Sequence, residues 1–220
     1  MQKEMIKTKR LTLRPLSDEE MAARMEAERD AHMKKALGEM LAGCKAHPLR
    51  RLWYAEWQIA LRDGVPIGSF SFKGEPKERE VEIGYGIEEP YRRQGYCAEA
   101  MAAAIEWAFG RDASLYYIMA ETEEGNLASR GLLQKLGFVP AGQGEEGPRF
   151  EKERPKVALL PVYLCLGMSL GMSLGLSFDQ LAIGMSLGMC LGVALGAALD
   201  AAENKKREKI RAERGARKAE

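Results

Sequence analysis

Apolar and polar residues change rhythm along this chain, and the changes mark its elements. "RLTLRPLS" (10–17) alternates and then stops at Pro15 and a Ser-Asp pair, which predicts a first strand running into a helix start. From Asp18 to about Cys44 the apolar residues Met21, Met25, Leu37, Met40 and Leu41 recur at helical spacing, until Pro48 breaks the run. "WYAEWQIALRDGVPIGSFSFKG" reads as two strands around Asp63-Gly64, a pair that favours a tight hairpin turn. "VEIGYGIEE" is a further strand, in which Gly84 and Gly86 predict a bulge or a close backbone approach, and Pro90 ends it. A helix follows through "YCAEAMAAAIEWAFG", then a strand in "LYYIMAETEE". The helix "NLASRGLLQKLGF" has Asn126 as its cap and Gly137 as its stop, and "FVPAGQ" with "GPRFEKER" predicts a last hairpin. Strands and helices mixed in this order predict an α/β domain with an α+β, mixed sheet over residues 1–156.

Beyond that domain the rhythm changes again. "LGMSLGM" at Leu166–Met172 returns as "IGMSLGM" at Ile183–Met189, and glycines fall at 167, 171 and 175, then at 184, 188, 192 and 196. A spacing of four puts each set in one stripe on a helix. Each glycine weakens an isolated helix in water by about 1 kcal/mol, so a stripe makes sense where another backbone packs closely on it. Residues 159–178 and 181–199 carry no charge, and each is near the roughly 20 residues that cross a bilayer. The expectation is a glycine-zipper helical hairpin over 157–200, turning at Asp179-Gln180, with 201–220 a charged tail that is a solvated helix or a frayed end. Arg154, Lys156, Lys205 and Lys206 flank the apolar runs. A hairpin with both ends cytoplasmic satisfies the bias of basic residues to that side. The competing arrangement is a soluble hairpin docked on itself or on a second copy. Residues 159–199 are thus expected to serve membrane association or self-association.

Composition excludes several classes. Against 33 Lys and Arg stand 32 Asp and Glu, a net charge of +1, so no overall basic field points to nucleic acid. Cys44, Cys97, Cys165 and Cys190 are scattered, with neither a redox pair nor zinc-knuckle spacing, and read as free thiols of a reducing cytoplasm. His32 and His47 lie in a charged helical region that offers no metal site or catalytic triad. "MQKEMIKTKR" lacks an apolar run, so no signal peptide is expected. The expected location is the cytoplasm, or the cytoplasmic face of a membrane if the hairpin inserts.

The candidate chemistry centres on "RRQGYCA" (92–98), a basic turn with one glycine that opens a helix. A helix start leaves N–H groups unpaired and carries partial positive charge, so a compact turn there can cradle a pyrophosphate. It can equally be a solvated turn that only begins a helix. Period-two alternation puts Glu82, Gly84 and Gly86 on one face of the strand before it, and Val81, Ile83 and Tyr85 on the other. A carboxylate facing a cleft can have its pKa raised towards neutrality. Glu82 is therefore a candidate base or, alternatively, a cross-strand ion-pair residue.

In context the turn resembles the signature of the GCN5-related N-acetyltransferases, Gln/Arg-x-x-Gly-x-Gly/Ala after a bulged strand. Arg92, Gly95 and Cys97 fall on it, with Cys97 in place of the small third residue and Ala98 following. "TKRLTLRPL" resembles the family's opening strand and "NLASRGLLQKLGF" its downstream Asn-x-x-Ser/Ala…Gly-Phe helix. The three matches stand in order over residues 6–154, in the branch with ribosomal-protein N-terminal acetyltransferases. The resemblance implies a splayed pair of central strands, direct transfer of acetyl from acetyl-CoA to a primary amine, and no metal. It implies that the strand ending at Tyr85-Gly86-Ile87 parts from its neighbour after Leu115, with the pantetheine arm in the gap. The Ile87 N–H faces the thioester oxygen, the amides of Arg93, Gln94, Gly95, Tyr96, Cys97 and Ala98 hold the pyrophosphate, and Asn126 contacts the cofactor arm. Glu82 is the expected base and Glu121 the second choice. The family's tyrosine acid, seven residues after the Asn, is here Leu133. Ser129 is the replacement considered for it, and Cys97 as an acyl-accepting thiol of lowered pKa is a further expectation. The acceptor amine, protein N-terminus or small molecule, is expected against Asp18–Arg51, where Trp53 and Tyr54 either line a pocket or join the core. The alternatives are a non-catalytic acyl-CoA-binding module and a membrane or oligomer scaffold driven by the zipper.

Overall fold

The computed structural model describes residues 4–219. The first three residues of the opening segment and the last residue of the charged tail lie outside it. The chain forms two compact units, Met1–Arg154 and Pro155–Glu220, so the boundary falls two residues before the expected one.

The first unit is an eight-stranded sheet in the order β1-β2-β3-β4-β5-β6-β8-β7. Its strands are β1 (Ile6–Lys7), β2 (Leu11–Pro15), β3 (Glu56–Leu61), β4 (Pro66–Phe72), β5 (Glu80–Ile87), β6 (Tyr117–Glu121), β7 (Val139–Gln143) and β8 (Pro148–Glu153). Every neighbouring pair is antiparallel except β5 with β6, which are parallel and joined through helix α3 (Tyr96–Arg111). β1, only two residues long, was not expected. The long helical run of the N-terminal half is two helices, α1 (Asp18–Ala27) and α2 (Ala31–Ala46). Glu28 takes the N–H groups of Arg29 and Asp30, and the Asp30 carboxylate then caps α2 by accepting from Met33 N–H at 2.9 Å. Local carboxylates thus break a pattern whose apolar periodicity continues across them.

The Asp63-Gly64 connection spans four residues between Leu61 and Pro66 rather than two. Gly64 takes φ +95° and donates to the Leu61 carbonyl, and the irregular register sits between Ile59 and Ala60. Trp53 lies in a short 3-10 turn (Pro48–Trp53) and not in a strand. It is buried with Trp57, Phe70 and Phe72, and with the half-buried Trp107 they form a cluster of ring centroids 4.9–5.9 Å apart. Of the two expectations for Trp53, the core is the one observed. Helix α3 lays Ala100, Met101, Ala104, Ile105 and Ala108 on this core at the spacing of one helix face. Helix α4 (Leu127–Lys135) adds Leu133.

The second unit is a helical hairpin of α5 (Leu160–Ser177) and α6 (Leu181–Ala219). The charged tail is no separate segment: it continues α6. The turn takes in Phe178, Asp179 and Gln180, with Asp179 at φ +56°. The glycine stripes meet backbone to backbone. A Cβ added at Gly167 or Gly188 would collide with the other's carbonyl, and Gly171 and Gly184 stand in the same relation. The hairpin is inside-out for water. Gly171, Gly175, Gly188, Gly192 and Gly196 are buried, while Leu170 is 65% exposed and Leu191 67%. Both helices are long and apolar enough to cross a membrane.

Candidate active site

The starts of α1, α2, α4 and α5 are closed by side-chain acceptors, and the start of α3 is not. Ser17 caps α1, Asp30 caps α2 and Asn126 caps α4, and the Asp200 carboxylate takes the first amides of α5. Helix α3 begins at Gly95, which has no side chain to offer, and its first intrahelical donor is Glu99 N–H to Gly95 O at 3.1 Å. The amides of Tyr96, Cys97 and Ala98 therefore point out of the helix end, in the positive field of its dipole. The approach to that end is shaped by Arg93 at φ +60° and Gly95 at φ +80°, left-handed residues of the kind that turn successive N–H groups into an anion-binding hollow. Arg92 and Gln94 tie the loop down. Arg92 Nε donates to Ile87 O at 3.0 Å, and Gln94 Nε2 donates to Pro90 O at 3.0 Å.

Beside this hollow the sheet opens. β5 pairs with β6 only from Glu80 to Glu82, opposite Tyr117 to Met119, whereas it stays paired with β4 as far as Ile87. The strands thus part after Met119, four residues later than expected. Lys73 N–H donates to Glu82 O and Glu88 N–H to Ile67 O, at 2.9 Å each. In an antiparallel ladder these two bonds set the alternation, so Ile83, Tyr85 and Ile87 direct their backbone N–H and C=O away from β4. Past Met119 that direction is the open gap. Gly84 and Gly86 mark no bulge, but β4 does approach closely at Gly86, since a Cβ added at Gly68 would collide with the Gly86 carbonyl oxygen. Their ladder with β4 is regular, and a Cβ added at either would meet nothing within 4 Å. They floor an open face in line with Glu82.

On the opposite face Tyr85 meets α4. Its hydroxyl lies 2.9 Å from Ser129 Oγ, and Ser129 N–H donates to Asn126 Oδ1 at 3.0 Å. Burial pushes the Tyr85 phenol up to about 12, although the Ser129 hydrogen bond pulls the other way. Leu133, where the family has its tyrosine, is 1% exposed in the core. Cys97 contradicts the expectation of an activated thiol: burial pushes it up to about 12, outweighing its place at the helix start. At pH 8 such a thiol is ionised in about one molecule in ten thousand. Alkylation by iodoacetamide at that pH should therefore leave Cys97 unmodified long after a free thiol standard has reacted, with peptide mass spectrometry as the measurement. Rapid labelling of Cys97 would overturn this assignment.

The two candidate bases differ. Glu121 has a side chain only 3% exposed. Burial pushes its pKa up, but the Glu146 N–H and the Arg149 guanidinium bond the anion and bring it net below the usual carboxylate range. A carboxylate held this way is a poor proton acceptor. Glu82 pairs across the strand with Lys73 Nζ at 2.5 Å, and Lys73 also reaches Glu146 at 2.8 Å. Burial works against the Lys73 charge, but the hydrogen bonds it donates to Glu146 and Glu82 outweigh that and raise its pKa. Sequence reasoning missed Lys73, although the alternation of β4 against β5 could have placed it. It also missed Arg10, whose partners lie more than eighty positions away, so no local signal could have found it.

The comparisons agree with this geometry. Residues 10–139 match the family described as Acetyltransferase (GNAT) domain, and residues 156–202 match one described as Glycine zipper membrane protein. A curated relative is the uncharacterized N-acetyltransferase YjdG of Bacillus subtilis (strain 168), 39% identical over 88 residues. The match covers 39% of this chain and spans about half (52%) of that relative's length. Among solved structures, an acetyltransferase of Agrobacterium tumefaciens str. C58 superposes with a TM-score of 0.55 at 22% identity, covering 70% of this chain and 96% of the other. A ribosomal L7/L12 alpha-N-protein acetyltransferase in complex with coenzyme A gives 0.54 at 16% identity, covering 68% and 98%. With its strands parted beside an uncapped α3 and the family matched over 10–139, the chain belongs to the GNAT acetyltransferases.

Proposed function

We propose that the first unit transfers an acetyl group from acetyl-CoA to a primary amine by direct attack, and that the hairpin anchors it in a membrane. The observation that carries the first part is the uncapped start of α3 beside the unpaired edge of β5. The residues present fit the cofactor. The amides from Arg93 to Ala98 hold the diphosphate, the open backbone edge at Tyr85 pairs with the amide-bearing arm beside Ile87, whose carbonyl is taken by Arg92, and Asn126 lies at the α4 wall. Bound acetyl-CoA supplies an activated acyl group. The Ile87 N–H stabilises the oxygen that gains charge during attack. Glu82, on the open glycine-floored face, takes the proton of the incoming amine, whose ammonium competes with Lys73 for the carboxylate. The Tyr85 phenol keeps its proton at neutral pH and donates to Ser129 Oγ. Ser129 in turn directs its own O–H at the departing sulfur.

Thiol release from acetyl-CoA across a panel of amines tests the reading. Release above the no-enzyme rate supports it, and cofactor binding without release with any amine would make the chain an acyl-CoA-binding module instead. Glu82→Gln should lower kcat by about 10²-fold and leave acetyl-CoA affinity within twofold, measured by steady-state kinetics and calorimetry. Unchanged kcat would remove Glu82 from the mechanism.

The anchor rests on the exposure of leucine around a buried glycine seam. In water that arrangement wastes apolar surface; in lipid it is the expected one. An α5 of 18 residues spans about 27 Å, close to the hydrocarbon thickness. Arg154 and Lys156 at one end and Lys205 and Lys206 at the other put both ends on the cytoplasmic side. Protein recovered in the supernatant after a carbonate wash would rule the anchor out.

A further inference from the structure

The turn between β1 and β2 sends one side chain to the start of α3. Arg10 Nη1 donates to Gln94 O at 3.0 Å, its Nε donates to Glu99 Oε2 at 2.6 Å, and its guanidinium stacks 4.4 Å from the Tyr96 ring centroid. Its Nη2 stands 3.4 Å from where a Cβ of Gly95 would be. Glu99 is bound by the Arg10 and Thr8 side chains and by the Arg10 N–H at 2.8 Å. Burial pushes the Glu99 carboxyl up, but these bonds bring it net below its ordinary value and hold it as an anion.

Three consequences follow. The carbonyl of Gln94, between the two left-handed residues, is pinned from outside the loop, so the hollow keeps its shape without a ligand. The Glu99 anion, in the first turn of the helix that would receive a diphosphate, is neutralised by Arg10 and does not repel the ligand. The third guanidinium nitrogen, Nη2, has no hydrogen-bond partner among the described residues and lies against Gly95, the residue at the mouth of the hollow. Arginine's planar fork allows one group to hold the loop with two nitrogens and present the third.

We propose that Arg10 is a binding residue for the diphosphate of the acyl donor, positioning the 94–96 loop and donating Nη2 to a phosphate oxygen. The proposal rests on the acetyl-CoA reading above, and it makes the turn between β1 and β2 a functional part of the site. It also separates the arginines by role. Arg92 braces the end of β5 through Ile87 O, and Arg10 faces the ligand.

The test uses the full chain and two probes, CoA by calorimetry and pantetheine, which lacks the diphosphate, by ligand-observed NMR. Arg10→Gln should weaken CoA about ten- to a hundredfold, the range for a lost hydrogen bond to a charged group, and leave pantetheine within twofold. Arg10→Lys keeps a charge but not the fork, and should fall between wild type and Arg10→Gln. Equal CoA binding by wild type and both variants overturns the proposal. So does an equal loss for both probes, because a collapsed site would weaken the arm as much as the diphosphate. Should Arg10→Gln fail to fold, the lysine variant decides: full wild-type affinity for CoA overturns the proposal, and a selective loss supports it. Wild-type protein that binds no CoA would overturn the acetyl-CoA reading itself, which is a different failure.

Discussion

Gly95→Val is expected to abolish acetyl-CoA binding, by at least about a hundredfold. Gly95 is the N-cap of α3 at φ +80°, where a β-branched residue costs on the order of 1–2 kcal/mol. That strain is only part of the effect. The new side chain would project towards Arg10 Nη2, which stands 3.4 Å from the first added carbon, and would crowd the three amides left open at the helix start. An anion bound by backbone N–H groups needs close approach, and a branched side chain at the mouth removes it. The loss should be confined to the ligand. The core under α3 is built from Ala100, Met101 and Ala104, so near-ultraviolet circular dichroism should stay that of the wild type. A folded Gly95→Val protein with unchanged affinity for acetyl-CoA would remove the cradle from this site.

The second large effect is expected in the hairpin. Gly188→Leu places a side chain against the carbonyl and Cα of Gly167 and Gly171. These are backbone atoms, so no rotamer change relieves the overlap and the helices must separate. Overpacking of this kind costs about 1–3 kcal/mol or more, and the axes should move out to the roughly 8–10 Å of ordinary helix pairs. Cys165 and Cys190 are exposed, one on each helix, while Cys44 is buried. Spin labels on Cys165 and Cys190 should report the separation as a longer distance by double electron–electron resonance in lipid nanodiscs. Leu187→Ala on the outward face should leave that distance unchanged. If Gly188→Leu gives the wild-type distance, the seam does not hold the hairpin. Acetyl-CoA affinity should be the same in both variants, since the donor site lies wholly in the first unit.

Much of this was readable from the chain because the signals are local. The alternation of β2 and β5, the cap at Asn126, the turn at Gly95 and the four-residue glycine spacing each report what a few neighbouring residues can do. The features that escaped are of two kinds. The split between α1 and α2 was hidden because apolar periodicity continues through Glu28–Asp30 while the carboxylates there bond the backbone instead. The chemistry at Cys97 and Glu121 was misjudged because a pKa depends on what surrounds a group in space. Cys97 is half-buried at the helix start it was expected to be activated by, and Glu121 is held by Arg149 from another strand.

By itself the sequence determined the order of the longer strands and helices, the small-residue turn that leaves α3 uncapped, and the seam on which α5 and α6 meet, because each follows from backbone preferences and side-chain periods a few residues long. Only the tertiary structure decided which groups share a site. The parting of β5 from β6 after Met119, the Tyr85–Ser129 contact and the reach of Arg10 to Gln94 join positions tens of residues apart. Their distances depend on how the sheet and helices pack, and no spacing along the chain encodes that.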